Sequence, residues 1–136
     1  MRLRVYYEDT DCGNVVYYAN HLKYMERSRT ELLRERGIDL AEYHARGFLF
    51  AVAEAHVNYK APARYNDILD VESTISALTA ASMTFTTVIR RAGEERPLAV
   101  GEVRVACINL EGRPVKIPDE IRKILEGFDN SKNKSI

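Results

Sequence analysis

Hydrophobic and polar positions alternate along most of this chain, and one long segment near its start breaks the alternation. Over residues 2–8, Leu3, Val5 and Tyr7 alternate with Arg2, Arg4 and Tyr6, the period of a strand with one buried face. From Asn20 to Arg36 the period becomes helical. Leu22, Met25, Leu32 and Leu33 fall on one face, with Lys23, Arg27, Glu31 and Arg34 largely opposite. Asn20 is the expected N-cap and Gly37 the expected residue past the end. Arg29 falls on the apolar arc with Glu26 one turn earlier, so an internal Glu26–Arg29 pair is expected. Residues 38–47 read as a loop or a short second helix. After that, residues 48–59, 68–78, 82–91 and 98–110 read as strands. In the middle two, Leu69, Val71 and Ile75, then Met83, Phe85 and Ile89, alternate with polar residues. Pro62 and Asn66-Asp67 mark a break at 60–67, and 92–97 is a polar turn. A short helix is expected over 118–128. The order is α+β, with an antiparallel sheet wrapped around one long central helix. Nothing divides residues 1–128, and 129–136 reads as a polar, disordered tail.

Composition narrows the function classes. Lysine plus arginine balances aspartate plus glutamate at 20 each, so no net field favours nucleic acid, which is not expected as a partner. No apolar run is long enough to cross a bilayer, and the start lacks the apolar core of a secretion signal, so cytoplasmic residence is expected. Cys12 and Cys107 are the only cysteines, too few for a disulfide framework. Cys107 falls in an alternating strand and reads as core. Cys12 reads as a small turn residue, because a thiol nucleophile needs a positioned base. The three histidines and two cysteines show no zinc spacing.

One stretch concentrates candidate chemistry: Tyr7-Glu8-Asp9-Thr10-Asp11-Cys12-Gly13-Asn14-Val15-Val16-Tyr17-Tyr18. Two carboxylates precede a turn, where Gly13 and Asn14 accept unusual backbone angles, and the turn leads into the helix. A helix start offers N–H groups without intrahelical acceptors at the positive end of the dipole. Such groups hold a developing oxyanion while a carboxylate acts on the same substrate. The plain alternative is a capped helix and an ordinary turn.

The segments Arg4–Asp11, Val15–Asn20 and Tyr24–Glu31 resemble the N-terminal signature of hotdog-fold acyl-CoA thioesterases, the 4-hydroxybenzoyl-CoA thioesterase family. The nearest subgroup is the bacterial one linked to the Tol-Pal envelope system. Val57-Asn58-Tyr59-Lys60-Ala61-Pro62-Ala63-Arg64 resembles the same subgroup, and the likeness runs from about Arg4 to Pro118. The resemblance implies a hotdog fold, hydrolysis of an acyl-CoA thioester, and sheets joined edge to edge in a homodimer or homotetramer. It implies no cofactor and no metal, with acyl carrier protein as a further candidate partner. Asp11 takes the place of the catalytic carboxylate, as nucleophile or general base. The backbone N–H of Tyr18 takes the place of the carbonyl-polarising donor. Asp9 is the competing carboxylate, or the one that holds the turn. Glu26 is the alternative on the helix, where some hotdog enzymes carry theirs.

The sequence departs from the family pattern in three places. Tyr18 stands where many relatives have histidine. Gly13 comes one position early, leaving Asn14 where glycine is usual. His21 stands where relatives often have tyrosine. Asn14, Val15 and His21 are candidate substrate-binding residues, and Lys60, Arg64, Arg90 and Arg91 are candidate cations for the phosphates of CoA. His44 and His56 read as incidental. Two other functions stay open. A hotdog dehydratase acting on hydroxyacyl thioesters would use a histidine and a carboxylate, for which His21 with Glu26 is the one nearby pair. A non-catalytic acyl-CoA binder would need neither.

Overall fold

The structure is a computed structural model that describes residues 1–134, with side-chain surroundings for residues 1–127. Strands β1 (Arg2–Arg4), β2 (Leu49–Tyr59), β3 (Ile68–Leu78), β4 (Ser82–Arg91) and β5 (Pro97–Ile108) form one antiparallel sheet in the order β1-β3-β4-β5-β2. Helices α1 (Tyr18–Glu35), α2 (Leu40–Ala45) and α3 (Asp119–Lys134) complete it. The long helix α1 packs on β3, β4 and β5, which is the hotdog arrangement. The alternation that marks β3 and β4 puts Leu69, Val71, Met83, Phe85 and Ile89 in the interior. Burying a side chain of this size stabilises by roughly 1.5–3 kcal/mol relative to leaving it in water.

The core has two parts, one at each end of α1. Leu33 and Ile38 join Phe85, Val105, Ile121 and Leu125 at one end. Val5, Val16, Tyr24, Met25, Leu69 and Ile89 pack together at the other, and this second part carries the candidate site. Gly37, at φ 81°, ends α1. Its N–H bonds the Arg34 carbonyl at 2.9 Å and the Ile38 N–H bonds the Leu33 carbonyl at 2.9 Å, the two bonds of a Schellman end with its apolar contact from Leu33 to Ile38.

Several expectations are corrected. The first strand stops at Arg4 rather than running to residue 8. The Asp9 carboxylate accepts the Tyr6 N–H at 2.8 Å and turns Tyr7–Asp9 into a single 3-10 turn. Helix α1 starts at Tyr18, and Tyr17, not Asn20, stands at its N-cap with no side-chain cap. Asn20 instead donates its Nδ2–H to the Asp9 carbonyl at 2.9 Å. The buried arc of α1 is His21, Tyr24, Met25, Ser28 and Leu33, whereas Leu22 is exposed. Ser28 is tolerated there because its hydroxyl donates to the Val71 carbonyl at 3.1 Å and accepts from Ser73 at 2.8 Å. No hydrogen bond or ion pair joins Glu26 to Arg29. Burial lowers the Arg29 pKa, with Glu26 only partly opposing it. The last strand ends at Ile108, and α3 is Asp119–Lys134, longer than the helix expected over 118–128. Residues 135–136 lie outside those described.

Candidate active site

The site is assembled by a loop, a turn and the start of α1. The loop 60–67 is pinned to β1, since the Val5 N–H donates to the Asp67 carbonyl at 2.8 Å and the Asn66 N–H to the Val5 carbonyl at 3.0 Å. It is pinned to the turn as well, with the Val16 N–H on the Ala63 carbonyl at 2.8 Å and Val15 bridged to Arg64. The Asp67 carboxylate accepts the Arg64 N–H at 2.8 Å and pairs with Arg91 at 3.1 Å. Arg91 also donates to the Pro62 carbonyl at 3.2 Å.

Within this frame Asp11 builds its own turn. Its N–H donates to the Val15 carbonyl at 2.9 Å, and its carbonyl accepts the Asn14 N–H at 3.0 Å. Its Oδ1 accepts the Gly13 N–H at 2.8 Å. Asn14 takes the left-handed angle, φ 63°, which asparagine adopts at lower cost than most residues. A Cβ on Gly13 would stand 3.2 Å from Asp11 Oδ1, so glycine leaves the carboxylate room. One oxygen of Asp11 is thereby fixed, and the side chain is exposed. Tyr17 titrates above the ordinary phenol range because of the adjoining Tyr18 phenol, then burial and the charge of Asp11.

Asp9 does different work. It clamps the Tyr6 N–H through its carboxylate, and its carbonyl accepts the Tyr17 N–H at 2.9 Å. The backbone around Asp9 therefore fixes where α1 begins. The N–H groups of Tyr18 and Ala19 donate to no acceptor among the described residues, and Tyr17 caps neither with its side chain. A cleft of about 340 Å³ opens at this point, with Val15, Tyr18 and His21 on one side and Tyr59, Lys60 and Pro62 on the other. His21 is 3% exposed, and burial lowers its pKa.

The predicted residues therefore divide. Val15, Tyr18, His21 and Lys60 line the cleft, Asp11 and Asn14 form the turn next to it, and Arg64 is bridged to Val15. No acidic side chain pairs with Lys60 or Arg64 among the described residues. Arg90 and Arg91 lie at the end of β4 but already have partners. Arg90 faces Glu72 at 3.8 Å and donates to the Glu95 carbonyl at 2.9 Å. Arg91 holds Asp67 and Glu94, and its role is to anchor the loop. Glu26 lines a separate pocket of about 270 Å³ with Arg29, Val52 and Val103, so the His21–Glu26 pair is not brought to one place. Cys12 is exposed and Cys107 buried.

Sequence reasoning passed over Tyr59 as a residue with a role of its own. Its hydroxyl donates to the Tyr18 carbonyl at 2.8 Å, and its ring meets His21 edge-on at 5.2 Å. Its place at the end of a long apolar strand, just before the loop, is the one signal that could have drawn attention to it.

Comparison with known proteins adds to this geometry. A profile of the Thioesterase-like superfamily matches residues 5–125. The acyl-CoA thioester hydrolase YbgC of Escherichia coli is 39% identical over 120 residues, 88% of this chain and 89% of that protein. Among solved structures, a probable thioesterase from Bartonella henselae has a TM-score of 0.80 at 33% identity, over 87% of this chain and 97% of the other. The DHNA-CoA thioesterase from Staphylococcus aureus has a TM-score of 0.92 at 17% identity, over 100% of this chain and 93% of the other. That last likeness bears on the fold alone.

Proposed function

The chain belongs to the thioesterase-like superfamily and is an acyl-CoA thioesterase, and we propose that its Asp11 turn and the N-terminus of α1 carry out the hydrolysis. The observation that carries this reading is an uncapped helix N-terminus opening on a cleft, next in the chain to the turn that holds the Asp11 carboxylate. The thioester carbonyl lies in the cleft with its oxygen toward the Tyr18 N–H. A water sits between the carbonyl carbon and the Asp11 oxygen that Gly13 leaves free. Asp11 takes a proton from the water as the new C–O bond forms, and the carbonyl pair moves onto oxygen. The Tyr18 N–H and the positive end of α1 stabilise that oxyanion. When the carbonyl re-forms, the C–S bond breaks. The thiolate of CoA leaves and takes the proton from Asp11, giving free acid and CoA. The exposure of Asp11 favours general base over nucleophile, since its free oxygen meets water. Lys60 and Arg64, which have no acidic partner, supply charge for the phosphates of CoA.

Strand β2 is an edge strand whose middle residues face outward. We assign that edge to a second copy of the chain, in a homodimer or a pair of dimers. No helix among the described residues is long and apolar enough to cross a membrane. An acyl-CoA substrate and two unpaired cysteines fit a cytoplasmic enzyme.

Release of free thiol from a panel of short, long and aromatic acyl-CoAs tests the reading. Turnover of at least one is expected. Release from none would leave a binder. Formation of an enoyl product from a hydroxyacyl-CoA, without thiol, would make the protein a dehydratase.

A further inference from the structure

His21 is the one buried titratable group at the cleft that the proposed hydrolysis does not use. It lies three residues along α1 from Tyr18, so the two share a helix face. Its ring lines the cleft and is held on two sides, by Tyr59 at 5.2 Å and Tyr24 at 6.2 Å, both edge-on. Its Nδ1 is fully buried and has no hydrogen-bond partner. No carboxylate bonds the ring among the described residues.

These facts restrict what the imidazole can do. A catalytic histidine base is ordinarily oriented by a third group on its other nitrogen, and here that nitrogen meets nothing. A proton on Nδ1 would be a buried donor with no acceptor, which is costly. The neutral ring therefore carries its proton on Nε2, the nitrogen left for the cleft. Burial disfavours the charged ring, so the ring stays neutral near pH 7.

We propose that His21 is a second oxyanion donor, presenting Nε2–H to the thioester oxygen from the face of α1 that also carries the Tyr18 N–H. The proposal rests on the assignment of this cleft to the thioester. Tyr59 supports the arrangement from the far side. Its hydroxyl fixes the Tyr18 carbonyl while its ring backs the imidazole, so the two donors are held by one residue of β2.

The test compares His21→Gln with His21→Phe. Glutamine keeps an N–H donor of similar reach and cannot titrate, whereas phenylalanine fills the ring volume without a donor. The expected result is kcat lower by about 10²-fold in His21→Phe, the usual loss for one oxyanion donor, with KM within about threefold of wild type. His21→Gln should recover to within about tenfold of the wild-type kcat, since a neutral donor is restored. Equal loss in both variants would make the ring a base and overturn the proposal. A wild-type kcat in His21→Phe would overturn it as well. Should phenylalanine not fold there, His21→Leu removes the donor with a smaller side chain, and the same two outcomes apply.

A spectroscopic readout separates donor from scaffold. With the best acyl-CoA labelled at its carbonyl carbon and bound to Asp11→Asn protein, the ¹³C resonance should move upfield when His21→Phe is added and stay when His21→Gln is added. An unmoved resonance in both would contradict the proposal. If Asp11→Asn slows turnover and His21→Phe does not, this inference alone fails. If wild-type protein releases no thiol, the reading of the cleft fails first.

Discussion

Asp9 and Asp11 stand two residues apart and do different things, and the difference is in what each carboxylate touches. Asp9 clamps the Tyr6 N–H. Asp9→Ala should therefore cost about 1 kcal/mol of stability, as losing a cap does, and leave kcat within a few-fold. Denaturant unfolding beside a thiol-release assay checks both. If Asp11 is the general base, it never bonds to the acyl group. Protein quenched rapidly during turnover should then show no acylated Asp11 peptide by mass spectrometry, where an acyl-aspartate intermediate would show one. His21 adds a pH effect. Its folded pKa lies below the ordinary 6.5 because of burial, so below about 6.5 the unfolded chain binds the proton more readily. Stability should rise with pH through the window beneath 6.5, and the slope should flatten in His21→Gln. The two carboxylates and the turn were legible in the sequence because Asp, Gly and Asn act locally there. Tyr59 was not, because its hydroxyl matters through a carbonyl 41 residues away.

The elements were legible where the period was clean. Strands β3 and β4 run where the alternation puts them, and Gly37 ends α1 by the expected device. The start of α1 was misread because Asn20, a good cap by type, spends its side chain on the Asp9 carbonyl. The buried face was also rotated. Hydropathy points to Leu22, but the buried face is His21, Tyr24 and Ser28; Ser28 bonds Val71 and Ser73 of β3, and His21 lines the cleft. The seating of α1 depends on Gly101, because a Cβ there would stand against the Met25 sulfur. Gly101→Ala should destabilise by roughly 1–3 kcal/mol, the usual cost of overpacking a core. Met25→Ala in the same chain should return part of that loss, and a double-mutant cycle by denaturant unfolding measures the return.

For the molecule as a whole, β2 is the consequential edge. It bonds β5 on one side, leaves the other free among the described residues, and exposes Val52 at 53%. A long unpaired edge invites another strand. Sedimentation at micromolar concentration should show a dimer or tetramer, and Val52→Lys should shift it toward monomer. A fully active monomer would contradict the assignment of that edge. The composition and strand order disclosed the class of fold, whereas the partner surface is invisible to periodicity because an edge reads like any other strand. The mechanism turns most on the assignment of the chemistry to Asp11. Asp11→Asn keeps size and the Gly13 contact while removing the charge. Its kcat on the best acyl-CoA should fall by roughly 10²–10⁴-fold, the range for losing a general base, with KM little changed. Near-normal turnover in Asp11→Asn, beside an inactive Glu26→Gln, would move the carboxylate onto α1 and contradict it.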